Sequence, residues 1–285
     1  MSRPSSSSSS STLSPSLSSR SLSRRQLLAG TGAGLSALAA WGLSPLITGG
    51  SVATDRPAIV GHRGAEGLAP PNTAAAIRRA LEVGVDGIEL DVRRTADGEL
   101  LLFHDPVLDW DSTGQGWVGN TDWDEIRGAT IDGEPLIRLP RALETIADAN
   151  DDVALYLELK ETGYTDAVLE EVAAYGLLDR LTIIAFDEEA LETAREAGVP
   201  IGLIGSVPGP WLADAAASCG ADAAFTHYAP HGVSNYVSAA REAGLTAGVW
   251  KLVDTKATIR DVLEIDHDVL VTNRPDYAFE VVNEG

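Results

Sequence analysis

The sequence is poor in cysteine, lysine and methionine. A single cysteine, Cys219, occurs among 285 residues, which excludes a disulfide within the chain and a metal cluster held by several thiolates. Lysine occurs at three positions only, and acidic residues outnumber Lys plus Arg by 42 to 21. Such a negative chain repels nucleic acids and anionic membrane surfaces, so neither nucleic acid binding nor stable membrane insertion is expected of the folded domain.

The negative charge is spread along the chain and is not collected in one block. The first 53 residues contain four arginines and no acid, so the remainder holds 17 basic and 42 acidic residues. A carboxylate-rich surface either serves ordinary solubility or stays hydrated at high salt, where its self-repulsion is screened. The even distribution favours a halophilic protein, adapted to high salt.

Residues 1–53 are predicted to be a disordered segment followed by an export signal. A serine-rich, low-complexity stretch over residues 4–23 is predicted to be disordered. Arg24 and Arg25 then precede a weakly apolar run, an order that resembles a twin-arginine signal. We therefore expect an exported, extracellular or cell-surface protein with one domain over residues 54–285. The alternative is a chance arginine pair before a membrane anchor, and the pattern leaves signal removal open.

From residue 57 onward, short apolar runs alternate with amphipathic segments. Residues 58–61 are predicted to be a strand, and residues 72–83 a helix with Asn72 as its N-cap. About eight such units in roughly 230 residues predict parallel strands joined by helices, and hence a single-domain (β/α)₈ TIM barrel. An open doubly wound sheet is the alternative, but no glycine-rich nucleotide-binding fingerprint follows the first strand.

Acidic side chains are predicted to point into this barrel. Glu89 and Asp91 share one face of their strand, as do Glu158 and Lys160 of a strand predicted over residues 153–160. Because the leucine and valine residues between them must face the helices, the three carboxylates face inward. They repel one another unless a hard divalent cation, Mg²⁺ or Ca²⁺, compensates them. Salt bridges such as Glu158 with Lys160 are the alternative explanation.

Two histidines are predicted at the carboxyl ends of strands, where barrels carry their chemistry. His62 follows the first strand, and His104 ends a strand predicted over residues 99–104. Imidazoles there can take and give the protons that P–O cleavage requires. Arg63 and Lys160 can neutralise phosphate oxygens.

Three features of the sequence, namely Trp250, His227 and residues 105–135, each allow two interpretations. Trp250, at a strand end, either stacks on a substrate or fills the top of the barrel. His227 either lines the mouth of the barrel or is structural, and His267 is predicted at the surface. Residues 105–135 form either a lid over the site or a packed surface loop.

Several motifs, in this order, resemble the glycerophosphodiester phosphodiesterase family. They are His62-Arg63-Gly64, Pro70-Pro71-Asn72-Thr73, the run from Gly84 to Val92, Thr95-Ala96-Asp97-Gly98, His104-Asp105, Leu157-Glu158-Leu159-Lys160, Val249-Trp250 and Val271-Thr272-Asn273-Arg274-Pro275. The similarity extends over residues 57–280, nearly the whole predicted domain.

The resemblance implies a TIM barrel with one divalent cation that hydrolyses small glycerophosphodiesters to an alcohol and glycerol phosphate. Attack by the neighbouring glycerol hydroxyl and attack by water both remain open. The implied residues are the metal ligands Glu89, Asp91 and Glu158, the acid–base pair His62 and His104, and the substrate-binding Arg63, Lys160 and Trp250.

The chain also departs from the family. Pro71 stands where the family usually has a glutamate, which is expected to orient neighbours such as Arg63. One alternative function is a phospholipase-type phosphodiesterase on lyso or intact lipids, which would need an exposed apolar patch or a basic rim. Another is a non-catalytic exported binding protein. The retained histidines and carboxylates argue against the second alternative.

Overall fold

The computed structural model of the chain describes residues 56–149, 153–251 and 255–284. The serine-rich stretch and the export signal predicted for residues 1–53 lie outside the described residues. All described residues fall within the domain predicted over residues 54–285. None of their helices combines the length and the apolar content that crossing a bilayer requires.

The apolar runs of the described residues form eleven strands, most of them four to eight residues long. They are β1 (Ala58–Gly61), β2 (Gly87–Arg94), β3 (Leu100–Leu102), β4 (Thr130–Ile131), β5 (Glu134–Pro135), β6 (Ala154–Leu159), β7 (Leu181–Ala185), β8 (Ile201–Gly205), β9 (Ala223–His227), β10 (Thr246–Lys251) and β11 (Val269–Thr272).

Amphipathic segments form the helices between the strands, with apolar side chains on one stripe. They are α1 (Ala74–Val83), α2 (Trp123–Ile126), α3 (Leu139–Ala149), α4 (Thr165–Ala174), α5 (Glu188–Glu196), α6 (Pro210–Cys219), α7 (Val233–Glu242), α8 (Lys256–Leu263) and α9 (Pro275–Glu284). The sequence prediction ended at residue 272 and missed α9.

Eight parallel strands close into a barrel in the order β1, β2, β6, β7, β8, β9, β10, β11, and β11 pairs back to β1. Helices follow the strands and pack around the outside, where one large apolar core joins them to the sheet. The predicted (β/α)₈ barrel is therefore confirmed, and the open doubly wound sheet is excluded. Residues at the carboxyl ends of the eight strands meet at one mouth.

The alternation predicted for β2 and β6 is present. Ile88 and Leu90 of β2 lie in the outer core, as does Leu157 of β6. The side chains between them therefore face the barrel interior. Below the carboxylates, a second apolar cluster fills the base of the barrel with Val60, Tyr156, Ile184, Ile204, Ala223, Phe225, Val269 and Val271.

The ring of Phe225 in β9 occupies space that two neighbouring strands leave open. A Cβ on Gly248 of β10 would lie 2.1 Å from the ring, and a Cβ on Gly202 of β8 would lie 2.8 Å from it. The phenyl ring therefore substitutes for two absent side chains, which fixes glycine at both positions.

β3 does not join the barrel. It pairs antiparallel with the carboxyl end of β2, because β2 runs beyond the mouth and the chain folds back along it. The strand predicted over residues 99–104 is therefore shorter than expected and is not a parallel barrel strand. The N–H of Phe103 donates to the carbonyl oxygen of Asp91 at 3.2 Å, so the return brings His104 to the mouth.

The excursion over residues 105–135 is a packed segment. It contains α2 and the antiparallel β4–β5 hairpin. Its buried side chains form a small core of their own with the end of β3, made of Leu101, Phe103, Leu108, Val118, Ile126, Ala129, Ile131 and Leu136.

Two local predictions were wrong. Thr73, and not Asn72, is the N-cap of α1, because the Thr73 hydroxyl accepts from the N–H of Ala76 at 3.2 Å. His267 is buried with 3% exposure, and its Nδ1 donates to the carbonyl oxygen of Ile265 at 2.7 Å. The acids that flank it in sequence suggested a surface position.

Candidate active site

A tight turn after β1 brings His62 and Arg63 to the mouth. Its glycines permit the close approach, since a Cβ on Gly61 would lie 1.8 Å from the carbonyl oxygen of Gly64. Arg63 has φ 49°, a left-handed conformation that persists in side-chain-bearing residues only where the surroundings impose it. The surroundings here include Glu89, whose Oε2 accepts from the N–H of Arg63 at 2.8 Å.

Three carboxylates meet inside the mouth. Glu89 and Asp91 of β2 and Glu158 of β6 each offer an oxygen, and these oxygens lie within 4.8 Å of one another. Asp91 is fully buried and the other two are nearly so. Nζ of Lys160 lies 2.8 Å from Oδ1 of Asp91 and also pairs with Glu158, and Nε of Arg63 lies 3.1 Å from Oδ2 of Asp91.

The two cations offset the three carboxylates unequally. Burial opposes ionisation of Asp91, but Lys160 and Arg63 outweigh it and hold the pKa of Asp91 well below its usual range. Burial and the charge of Asp91 raise the pKa of Glu89 to about 8 and also raise the pKa of Glu158. Lys160 and Arg63 therefore compensate the charge of Asp91 but leave the carboxyl group of Glu89 uncompensated.

The same residues fit a hard divalent cation. All three donors are carboxylate oxygens, the ligand type that Mg²⁺ and Ca²⁺ prefer. Oε1 of Glu89 is buried and has no hydrogen-bond partner among the described residues, so its lone pairs are available inside the cluster. The salt-bridge alternative is also partly present, since Lys160 pairs with both Asp91 and Glu158.

Asn72 orients Asp91. Its Nδ2 donates to Oδ2 of Asp91 at 2.8 Å, and its Oδ1 accepts from the N–H of Asp91 at 3.1 Å. The backbone of Asn72 is left-handed, with φ 57°, a region that asparagine enters more readily than most residues. Sequence reasoning missed this role because the residue stands directly before a helix, where an N-cap is the ordinary expectation.

His62 is held between an amide and two carboxylates. Its Nδ1 lies 2.7 Å from Oδ1 of Asn273 and 3.6 Å from Oε1 of Glu66, and its Nε2 lies 3.9 Å from Oε2 of Glu89. Burial opposes protonation of His62, but Glu66 and Glu89 outweigh it and raise its pKa. Because an amide oxygen only accepts, Nδ1 carries the proton toward Asn273 and leaves Nε2 free to exchange one.

His104 has a matching arrangement. Its Nδ1 lies 2.9 Å from Oδ1 of Asp105, and its carbonyl oxygen accepts from Nε of Arg93 at 2.9 Å. Burial lowers the pKa of His104 and outweighs the carboxylate of Asp91. The pKa values of the two imidazoles are thus moved in opposite directions.

Trp250 and His227 lie on the opposite arc of the mouth, on β10 and β9. Their rings meet edge to face at an angle of 70°, with centroids 4.6 Å apart. Nε1 of Trp250 is buried without a hydrogen-bond partner among the described residues, so a donor is available there. His227 therefore lines the mouth, which was one of its two interpretations.

A cleft of about 630 Å³ adjoins this site. Arg63, Glu66 and Pro71 line it on the barrel side, and Trp110 and Asp132 line it on the side of the excursion. The packed excursion is therefore one wall of the cleft.

The structure brings six of the eight predicted site residues into contact or close approach and places the other two, His104 and Trp250, elsewhere around the mouth. Their roles in binding and catalysis stay predictions. Sequence reasoning missed Glu66, Asn273 and Asp105 as partners of the two imidazoles. Glu66 and Asp105 left a signal, since Glu66 follows His62 by one helical turn and Asp105 directly follows His104.

A closed barrel with cations at its mouth, and with buried carboxylates that could hold a metal, is typical of TIM-barrel hydrolases. Residues 62–277 match the glycerophosphoryl diester phosphodiesterase family. The chain belongs to this family and is a phosphoric diester hydrolase.

Similar proteins agree with this assignment. The chain is 28% identical over 246 residues to a glycerophosphodiester phosphodiesterase of Caldanaerobacter subterraneus, covering 80% of this chain and 98% of that protein. A glycerophosphodiester phosphodiesterase structure from Agrobacterium tumefaciens has a TM-score of 0.67 and 29% identity, over 78% of this chain and 98% of that one. A phosphodiesterase from Oleispira antarctica, in complex with the product sn-glycerol 3-phosphate, shares the fold at TM-score 0.66 and 22% identity, over 80% and 97%.

Proposed function

We propose that this chain hydrolyses glycerophosphodiesters to an alcohol and glycerol phosphate with the aid of one divalent cation, Mg²⁺ or Ca²⁺. The observation that carries the proposal is the buried group of three carboxylates beside His62 and Arg63, at the mouth of a barrel of this family. The substrate is a small molecule that reaches the site through the adjoining cleft.

Glu89, Asp91 and Glu158 are the residues that would hold the cation. When bound, the cation supplies positive charge to these carboxylates and to the phosphate oxygens. Arg63 and Lys160 bind the phosphate from the protein side, Arg63 with its forked N–H groups and Lys160 as a point charge. Trp250 contacts the remainder of the substrate through its ring or its unpartnered Nε1.

His62 and His104 move the protons. Each has its Nδ1 beside an oxygen acceptor, Asn273 for His62 and Asp105 for His104. Nε2 is therefore the exchanging atom of each ring. One Nε2 takes the proton of the attacking hydroxyl or water, and the other gives a proton to the leaving oxygen.

The test is hydrolysis of sn-glycero-3-phosphocholine by the purified protein at high salt, with and without EDTA. We expect activity that depends on Mg²⁺ or Ca²⁺ and that falls by about two orders of magnitude or more in His62→Ala and His104→Ala. The assay also includes Glu89→Gln. Its matched control is Glu192→Gln, on the exposed face of α5. A folded, metal-loaded protein without activity on any glycerophosphodiester would refute the proposal.

A second candidate is hydrolysis of lysophospholipids, which carry an acyl chain on the same diester. The large apolar side chains that are exposed among the described residues all lie on the mouth side, namely Trp110, Trp117, Phe186, Val207 and Trp211. Such a rim can accept an acyl chain. A higher kcat/KM for a monomeric lysophospholipid than for sn-glycero-3-phosphocholine, lost in Trp211→Ala, would favour this candidate.

We further propose that the protein is exported by a twin-arginine route and is adapted to high salt. The support is the Arg24-Arg25 pair before a weakly apolar run and the excess of acidic residues. Replacement of both arginines by lysine should retain the protein inside the cell. Unchanged export of that variant would refute the route, and full stability at low salt would refute the adaptation.

A further inference from the structure

Glu66 is an acidic residue at the mouth that neither the proposed metal ligands nor the acid–base pair includes. Its N–H donates to the carbonyl oxygen of His62 at 3.2 Å, which closes the turn after β1. Its carboxylate is only 17% exposed and lies 3.1 Å from Nη1 of Arg63 and 3.6 Å from Nδ1 of His62. One carboxylate therefore contacts both residues that the turn presents.

Arg63 has a second ion pair, but its partner serves several groups. Asp91 lies 3.1 Å from Nε of Arg63, and it also pairs with Lys160 and accepts from Asn72. Asp91 is in addition one of the proposed cation ligands. Glu66 has no ion pair with Lys160 among the described residues, so its hold on Arg63 does not depend on what occupies the carboxylate cluster.

We propose that Glu66 is a positioning residue that holds the guanidinium of Arg63 in the cleft, ready for a phosphate oxygen of the substrate. This inference rests on the proposed function. An arginine side chain loses conformational freedom when it binds a phosphate, and an ion pair formed beforehand removes that loss from the binding step. The left-handed backbone of Arg63 sets the direction in which its side chain leaves the main chain. The ion pair with Glu66 sets the position of its guanidinium.

Pro71 gives the proposal a second support. The family resemblance leads us to expect a glutamate at position 71, close to Arg63. Pro71 lines the same cleft as Arg63 and Glu66, so a glutamate at position 71 would place its carboxylate in the cleft that holds the guanidinium. The chain carries this carboxylate at position 66 and a proline at position 71.

Simple electrostatics makes the opposite prediction, which sharpens the test. A carboxylate beside Arg63 repels a phosphate, so its removal should strengthen phosphate binding if charge alone matters. If Glu66 positions Arg63, its removal should weaken phosphate binding instead. The sign of the change separates the two.

The experiment is calorimetric titration of the full chain with inorganic phosphate in the presence of Mg²⁺, together with kcat and KM on sn-glycero-3-phosphocholine. We expect Glu66→Gln to bind phosphate about tenfold more weakly and to lose about ten- to hundredfold in kcat/KM. Asp132→Asn removes a charge from the same cleft without an ion pair to Arg63, and it should bind phosphate no more weakly than the wild type. Stronger or unchanged phosphate binding by Glu66→Gln would overturn the proposal.

The double variant Glu66→Ser/Pro71→Glu tests rescue. We expect it to bind phosphate several-fold more tightly than Glu66→Ser alone, and equal affinities for the two would overturn the proposal. If Glu66→Gln does not fold by circular dichroism, Glu66→Asp decides, because a shorter carboxylate should also weaken phosphate binding. A wild type that binds phosphate but cleaves no glycerophosphodiester would refute the proposed function, while the phosphate series would still decide the role of Glu66.

Discussion

Replacement of Glu89 by glutamine should stabilise the protein when no divalent cation is present. Glu89 is 2% exposed, and its pKa is raised from 4.5 to about 8 by burial and by the charge of Asp91. At pH 7 a shift of this size costs the folded state about 3 kcal/mol. Glutamine keeps the shape of the side chain and can still accept from the N–H of Arg63, so it avoids the cost of neutralising the carboxyl group on folding and retains that contact.

The sign follows from the direction of the pKa shift. A carboxyl whose pKa is raised by folding favours the folded state at low pH and disfavours it as the pH rises through the folded pKa. The advantage of Glu89→Gln should therefore be absent near pH 4.5 and should grow toward pH 8. In a domain of this size about 3 kcal/mol corresponds to a Tm higher by roughly 6–12 °C.

The assay is thermal unfolding by circular dichroism in KCl with EDTA, at several pH values, and then with a divalent cation. At about 100 times its dissociation constant, the cation should stabilise the wild type by about 2.7 kcal/mol and the variant by less. Glu192→Gln removes an exposed charge, so it should be as stable as the wild type in EDTA. The cation should stabilise it as much as it stabilises the wild type. A Glu89→Gln protein less stable than the wild type in EDTA at pH 7 would refute the reasoning about this cluster.

Three further changes follow from the packing. Gly248→Ala places a Cβ 2.1 Å from the ring of Phe225, so we expect a loss of about 1–3 kcal/mol in urea unfolding, and an unchanged midpoint would contradict the role of that ring. Asn72→Ala removes both hydrogen bonds to buried Asp91 and leaves alanine at φ 57°, so we expect a loss of about 3 kcal/mol, partly recovered by Asn72→Gly. Burial lowers the pKa of His267, so stability should fall as the pH drops through 6.5, and His267→Gln should flatten the Tm profile between pH 5 and 8.

The sequence was sufficient wherever a local period decided the outcome. Alternation in β2 and β6 predicted that Glu89, Asp91 and Glu158 face inward, because the residues between them could only face the helices. The rhythm of strands and helices predicted the closed barrel for the same reason: each element has one apolar face that must be covered.

The sequence was insufficient where a distant partner decided the outcome. Asparagine is a common N-cap residue, but the side chain of Asn72 binds Asp91, 19 residues away. The direction of β3 depends on how far β2 extends beyond the mouth, which an apolar run of three leucines does not encode. Asn273 was noted only as part of a motif that resembles the family, and its contact with His62 spans 211 residues.

The pairing of β1 with β11 has a consequence for biosynthesis. His62 depends on Thr272 for its backbone hydrogen bond and on Asn273 for the orientation of its ring. A nascent chain on the ribosome contains His62, Glu89 and Glu158 long before it contains Thr272 or Asn273. One edge of β1 therefore stays unpaired until β11 has emerged. Assembly of the site therefore requires the last strand of the barrel, and a chain truncated before β11 contains all the predicted metal ligands without the frame that aligns His62 with them.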